Sequence, residues 1–477
     1  MNTLAATRRE FLRAASVGAA ALAAPRWLAA AAESPERPNI VFIMVDDMGY
    51  HDLGCYGSKT IKTPRLDAMA AEGVKFTDAY SGATVCAPAR STLMTGYHMG
   101  HTSVRGNSGG IPLLDEDVTV AEVLKKAGYA CGGFGKWGLG EVGTAGVAEK
   151  QGFDVFFGYY HQVHAHSYYT PYLWRNSQRV ALPGNDGRKG PNYSHHVIFR
   201  ENLKFIRDSA AGGSKQGRPF FCYCPWTPPH AKYEFPADDP AWAPYKDKPW
   251  PNAAKVAAAM DTMIDRHVGE ILDLLKELKL AEKTIVFFCS DNGAAQRFDG
   301  VHNSCGPMRG SKRSMQEGGI RTPMIVRWPG KIKPGTVSDL PWYFPDVMPT
   351  LAELAGAARH VPAGIDGISI LPTLLGEKAA GRKQKPREYL FWEHRGTKAA
   401  RMGKWKAILP VTRKGRKGPV VKGKLRLYDL SKDIAEKNDL AGKHPDTAAK
   451  MEAIIRQAWT EPRPQREPPR PKGKRHR

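Results

Sequence analysis

Cys86-Ala87-Pro88-Ala89-Arg90-Ser91-Thr92-Leu93-Met94-Thr95-Gly96 is the stretch from which the fold and the chemistry of this chain are read. An isolated Cys ordinarily serves as a small buried apolar side chain. Here it is followed at fixed spacing by Pro88, Arg90, the hydroxyl pair Ser91-Thr92 and a closing Thr95-Gly96. Taken alone, the stretch is a thiol in a loop that runs into a helix.

Upstream, Pro38-Asn39-Ile40-Val41-Phe42-Ile43-Met44-Val45 is a continuous apolar run, the pattern of a strand buried on both faces. It ends in Asp46-Asp47. Adjacent carboxylates repel unless something positive joins them, and open α/β sheets bind ligands at the C-terminal strand edge. A solvated turn is the alternative. Two further runs, Pro219 to Pro225 and Thr284 to Ser290, also read as buried strands. The first leads through Pro228-Pro229, which hold the following residue rigidly, to His230. The second leads into Asp291-Asn292-Gly293. Asp46, Asp47, Asp291 and Asn292 give a hard oxygen constellation suited to Ca²⁺ or Mg²⁺ and poor for Zn²⁺.

Thr63 to Gly73 reads as a helix capped by Thr63, and further helices are expected near 119–126, 252–280, 346–355 and 447–459. In the long one, Met260, Met263, Ile264, Val268, Ile271 and Leu275 recur at helical spacing and read as core. Strands are expected at 129–134, 324–328, 388–392, 400–409 and 425–429. The segment His161-Gln162-Val163-His164-Ala165-His166-Ser167-Tyr168-Tyr169 offers three imidazoles, each of which equally suits a surface loop.

The 477 residues suggest a large core domain with a smaller one. A hydrophobic content of 42% with 25% charged residues is that of a globular protein, but the net charge of +23 points to anionic partners. Residues 1–32 read as an export signal, with Arg8-Arg9 before Phe11-Leu12 and an Ala-rich run too short to span a bilayer. Removing Arg8, Arg9, Arg13, Arg26 and Glu10 with that segment leaves about +20. The seven cysteines show no zinc-type spacing, and Cys222 and Cys224 read as strand packing rather than a disulfide framework. The expected layout is a signal at 1–32, a catalytic domain at 33–380, an antiparallel sheet with one helix at 381–460 and a disordered basic tail at 461–477.

Five separated blocks resemble, in identity and in order, the formylglycine-dependent sulfatases of the arylsulfatase family. They are Asp46-Asp47, Cys86-x-Pro88-x-Arg90, Gly135-Lys136-Trp137-Gly138-Leu139-Gly140, Pro229-His230, and Asp291-Asn292 with the Arg309-Gly310 to Pro323 segment. The resemblance implies an α/β fold of the alkaline-phosphatase-like type, a large mixed sheet between helices. It further implies that a formylglycine-generating enzyme oxidises Cys86 to an aldehyde. The hydrated aldehyde would carry two geminal hydroxyls, one to attack sulfur and one later to expel sulfate. One Ca²⁺ per chain would be held by Asp46, Asp47, residue 86, Asp291 and Asn292, with Arg90, Lys136 and Lys312 around the sulfate and His230 as proton donor. The helix after Cys86 would aim its free N–H groups at the sulfate.

The family has a His where this chain has Gly138. His166 is the expected substitute base, because an extended segment would put Gln162, His164 and His166 on one face with His166 nearest a sugar pocket lined by Tyr168-Tyr169. The expected reaction is sulfate-ester hydrolysis on a small molecule or glycan, by a periplasmic or secreted enzyme exported on a twin-arginine signal, with no nucleic acid partner and no membrane span. A phosphodiesterase or phosphonate monoester hydrolase, or a non-catalytic polyanion-binding protein, are the alternatives.

Overall fold

The computed structural model describes residues 37–212, 218–230, 232–413 and 420–464. The expected signal at 1–32 and the tail from 465 onward lie outside the described residues. The chain divides into residues 1–37 and 38–477, and the architecture below is that of the second unit.

Asn39–Val45 lies inside a ten-stranded sheet because its apolar run serves both faces. Ile40, Phe42 and Met44 enter the core on one side, and Val41, Ile43 and Val45 on the other. It pairs in parallel with Phe220–Pro225 and Thr284–Ser290, setting Ile43 beside Cys224 and Phe288. In order across the sheet the strands are Thr336–Ser338, Val74–Phe76, Met324–Arg327, Thr284–Ser290, Asn39–Val45, Phe220–Pro225, Ala130–Lys136, Val155–Tyr159, Tyr172–Arg175 and Gln178–Ala181. Met324–Arg327 runs antiparallel to both its neighbours, and the last two strands form a hairpin, so the sheet is mixed as expected.

Helices cover both faces. Cys86–Thr95, Val120–Lys126 and Val347–Leu354 put Leu93, Leu124 and Leu351 into the core that holds Phe42. Pro64–Ala71, Ser194–Ala210 and Asn252–Glu277 put Leu66, Ile198 and Ile264 into the core that holds Ile43. Thr119 closes a capping box with Glu122 at the start of its helix. Thr63 stands at an N-cap position without capping: its hydroxyl accepts from the Gly54 N–H at 2.8 Å and donates to Asp67 at 3.2 Å.

The single strand expected at 400–409 is two, Thr397–Met402 and Trp405–Leu409, which turn back at Gly403 with φ +57°. With Leu390–His394 and Arg426–Asp429 they form a four-stranded antiparallel sheet, against which the helix Pro445–Gln457 sets Met451 and Ile455. Ala400, Ala407 and Leu427 of this sheet belong to the same apolar cluster as Phe42. Both sheets lie within the unit that spans residues 38–477. All seven cysteines are free thiols.

Candidate active site

The site is built at the C-terminal ends of the parallel strands. Successive side chains on a strand point to opposite faces, so two neighbouring carboxylates converge only if the backbone turns. Asp47 makes that turn with φ +70°, a left-handed conformation that Asp tolerates better than most residues. Asp46 and Asp47 are both buried.

Cys86 is the first residue of its helix, and its thiol lies 3.2 Å from Asp46 Oδ1 and 3.2 Å from Lys312 Nζ. Burial, then the charges of Asp291 and Asp46, push that thiol up to about 12, so it stays protonated and unreactive near neutrality. Arg90, one turn on, donates to Asp291 Oδ2 at 2.9 Å and to Asp46 Oδ2 at 3.3 Å, and its guanidinium also bonds the Lys136 carbonyl. Lys136 ends its strand with Nζ 2.5 Å from Asp46 Oδ2, and Lys312 pairs with Asp47 Oδ1. Burial raises Asp46, but Lys136, His230, Arg90 and Lys312 together outweigh it and hold the carboxyl well below its ordinary value. Burial and the charge of Asp46 instead push Asp291 up to about 6.

A hard cation fits this donor set. Asp47 Oδ2 and Asn292 Oδ1 are buried acceptors without a hydrogen bond, and His230 Nε2 lies 3.5 Å from the first. Donor atoms of Asp46, Asp47, Cys86 and His230 all lie within 4.8 Å of one another. Asn292 donates to Asp47 Oδ1 at 2.7 Å, which turns its carbonyl oxygen away from that bond. Asp291 joins the group at one remove, accepting the Asp47 N–H at 3.3 Å with Oδ1 while Oδ2 faces Arg90.

His230 follows Pro229, and His166 stacks on its ring with centroids 4.2 Å apart and planes 15° apart. Burial lowers His230, against the pull of Asp47 and Asp46. Burial, then the charges of His230 and Lys136, push His166 down to about 3. The route by which His166 was expected to arrive is not the observed one. His164–His166 is a 3-10 turn rather than an extended segment, and His164 is tied by Nε2 to the Thr170 hydroxyl at 2.7 Å. Tyr168 lines no sugar pocket, being fully buried with its hydroxyl donating to the His230 carbonyl at 3.1 Å. His161 sits 3.3 Å from Glu141.

Asn107 escaped the sequence reading, in which Gln162 only shares a face with His164 and His166. Asn107 accepts the Ala87 N–H at 2.9 Å with Oδ1, so one of the helix N–H groups expected to face sulfate is already engaged. Gln162 donates to the same oxygen at 3.3 Å, while its own buried Oε1 has no hydrogen bond. Gln162 fills the space beside Gly138.

Among the described residues no helix is long and apolar enough to cross a membrane. The Sulfatase family model matches residues 38–357, and a model described as N-sulphoglucosamine sulphohydrolase, C-terminal, matches residues 310–461. The chain is 33% identical to human arylsulfatase A over 470 residues, covering 87% of this chain and 85% of that one. It is 34% identical to the N-acetylgalactosamine-6-sulfatase of Canis lupus familiaris over 382 residues, covering 74% and 69%. A solved structure from a Bacteroides thetaiotaomicron locus for the metabolism of multiple glycosaminoglycans superposes with TM-score 0.74 at 26% identity, covering 88% of this chain and 99% of that one.

Proposed function

The chain belongs to the sulfatase family and is a sulfuric ester hydrolase, and on that premise we propose that it cleaves a sulfated carbohydrate with a nucleophile made from Cys86. The observation that carries this reading is the placement of Cys86. A thiol pushed up to about 12 is a poor nucleophile, yet it is buried at a helix start against Asp46 and Lys312, where a nucleophile is wanted. Oxidised to formylglycine and hydrated, residue 86 would supply the pair of hydroxyls that attack sulfur and expel sulfate. A calcium ion held by Asp46, Asp47, Asn292 and residue 86, with Asp291 behind them, would supply positive charge to the sulfate oxygens and to the attacking hydroxyl.

The chain's own cations do the rest of the charge work. Arg90, Lys136 and Lys312 are fixed around the same point before substrate arrives, so they stabilise charge that develops in the transition state without reorganising. His230 holds the proton that the leaving alcohol oxygen takes. His166, held neutral, accepts a proton from residue 86 in place of the His that Gly138 lacks. The N-acetylgalactosamine-6-sulfatase relative and the glycosaminoglycan context of the solved structure support a sulfated sugar, and the net charge of +23 supports an anionic polymer.

Cys86 is buried in the folded chain, so modification by a formylglycine-generating enzyme precedes folding. A twin-arginine signal carries folded chains, which puts that step in the cytoplasm before export to the periplasm or beyond. The reading is tested on protein co-expressed with that enzyme, by mass spectrometry of residue 86 and sulfate release from a panel of position-defined sulfated sugars. An aldehyde at residue 86 and loss of turnover in Cys86→Ala are expected. Full activity in Cys86→Ala overturns it.

A further inference from the structure

The helix Cys86–Thr95 begins inside the site, yet its leading N–H groups are already engaged. The Ala87 N–H goes to Asn107 Oδ1 at 2.9 Å, Pro88 has none, and the Ala89 N–H goes to the Val85 carbonyl at 3.2 Å. At most the N–H of residue 86 is left for an anion. What lies over the helix start is instead a side chain, that of Asn107, half-buried on the loop between this helix and Val120–Lys126.

The two ends of the Asn107 amide are told apart by their neighbours. A backbone N–H can only donate, so the atom that faces Ala87 is the oxygen. The same oxygen takes a second hydrogen bond, from Gln162 Nε2 at 3.3 Å. Gln162 is 3% exposed and packs against Gly138, so the amide is clamped between the helix start and the segment that follows Lys136.

That leaves Nδ2. It carries two hydrogens, and among the described residues it makes no hydrogen bond. Two donations into Oδ1 draw electron density from the nitrogen and make those hydrogens better donors. The charged donors of the site are each bonded to carboxylates already, Arg90 to Asp46 and Asp291, Lys136 to Asp46 and Lys312 to Asp47. Asn107 is therefore a fixed, half-exposed donor beside residue 86 whose acceptor is not part of the chain.

We propose that Asn107 touches the substrate, donating from Nδ2 to an oxygen of the sulfate group, and that Gln162 is the positioning residue that holds the amide in place. The proposal rests on the reading above, since the acceptor is the sulfate ester named there. An amide suits the place because it adds a donor without adding charge, and it passes the favourable field of the helix start on to an anion that the engaged N–H groups no longer meet. The alternative is a helix cap and nothing more.

Asn107→Asp separates the two. Its carboxylate still accepts from Ala87, and at a helix start it caps at least as well as the amide, but it has no hydrogen to give. The variant should keep the thermal midpoint of wild type while kcat/KM for a sulfated sugar falls about ten- to a hundredfold, the worth of one hydrogen bond to a charged group. Ser108→Asp, on the exposed next residue, brings the same charge without removing the amide and should stay near wild type. Gln162→Met should lower kcat/KM several-fold in the wild-type background and no further in Asn107→Ala. An equal loss in both backgrounds would show that Gln162 does not act through Asn107. Wild-type kcat/KM in Asn107→Asp overturns the contact and leaves the cap. Wild-type crystals soaked in sodium sulfate decide without any variant or turnover: a sulfate oxygen within hydrogen-bond distance of Nδ2 supports the contact, and sulfate bound among Arg90, Lys136 and Lys312 with Nδ2 left to water overturns it. Sulfate held at Nδ2 by a chain that cleaves no sulfate ester would instead count against the reading above and not against this contact.

Discussion

Gln162 stands where a side chain on residue 138 would have to go: a Cβ built on Gly138 would lie 2.6 Å from Gln162 Nε2, and the backbone there has φ +78°. Gly138→His therefore does not restore the family pattern. It meets a steric conflict and a left-handed backbone together, and should lower stability by about 2 to 4 kcal/mol. Combining it with Gln162→Ala removes the first cost and leaves the second. Chemical denaturation of both single variants and the double variant checks this, and strict additivity would show that the two positions are not in conflict.

In the proposed mechanism the stacked pair His166 and His230 divides the proton work by position and by charge. His230 lies below the ordinary His value through burial, so the protonated fraction that donates to the leaving group falls as pH rises through that lowered value. kcat/KM should decline on the acid side of 6.5 rather than at it. His166→Ala uncovers one face of the His230 ring, and the alkaline limb should then move up in pH. That variant should release a burst of alcohol and then turn over slowly, whereas His230→Ala should be slow from the start, by about a hundredfold or more, with no burst. Normal turnover in His166→Ala would place the base elsewhere.

The legible parts of this site are those carried by local pattern. Apolar runs that stop at Asp46-Asp47, at His230 and at Asp291-Asn292 mark three adjacent parallel strands, because strands buried on both faces leave little else to read. The Tyr172–Arg175 and Gln178–Ala181 hairpin was not legible, since its strands are short and mostly half-buried or exposed, with no clean apolar alternation. Ser194–Ala210 was missed although Ile198, Phe199 and Ile206 mark one face, because His195 and Asn202 are buried on that face too. Asn107 and Gln162 reach the site from loops 55 residues apart, and no spacing connects them. The left-handed turn at Asp47 that makes the two carboxylates converge is likewise a property of the backbone and not of the pattern.

Lys406 links the small sheet to the segment that follows Lys312. Its Nζ lies 2.7 Å from Glu317 and 3.0 Å from Glu436, all three residues fully buried, and Glu436 also accepts the Glu317 N–H at 2.7 Å. Lys406→Met leaves two buried carboxylates behind and should cost about 3 to 5 kcal/mol. Burial raises Glu317, but Lys406, Arg321 and Arg401 outweigh it and hold the carboxyl far below its ordinary value. Stability from that group is therefore complete above the unfolded value and is lost only as pH falls through the depressed one. In Lys406→Met the loss should begin at higher pH, which unfolding curves across the acid range will show. An unchanged acid limb would mean that Arg321 and Arg401 suffice.

Removing the proposed cation from Asp46, Asp47 and Asn292 should appear as a pH-dependent loss of stability. Without a cation, burial and the charge of Asp46 place Asp291 at about 6, above the unfolded value of about 3.9. The folded state then binds more protons than the unfolded state between those values. Stability accordingly falls as pH rises from about 4 to about 6 and is level beyond, a loss on the order of a few kcal/mol. A bound calcium ion favours the ionised carboxylate and cancels that slope. The thermal midpoints of chelated and calcium-loaded protein should thus draw apart as pH rises through that window. Asp291→Asn has no such group to titrate, and its chelated form should lose that part of the slope. Parallel curves for chelated and loaded wild type would show that no cation is linked to the ionisation of Asp291.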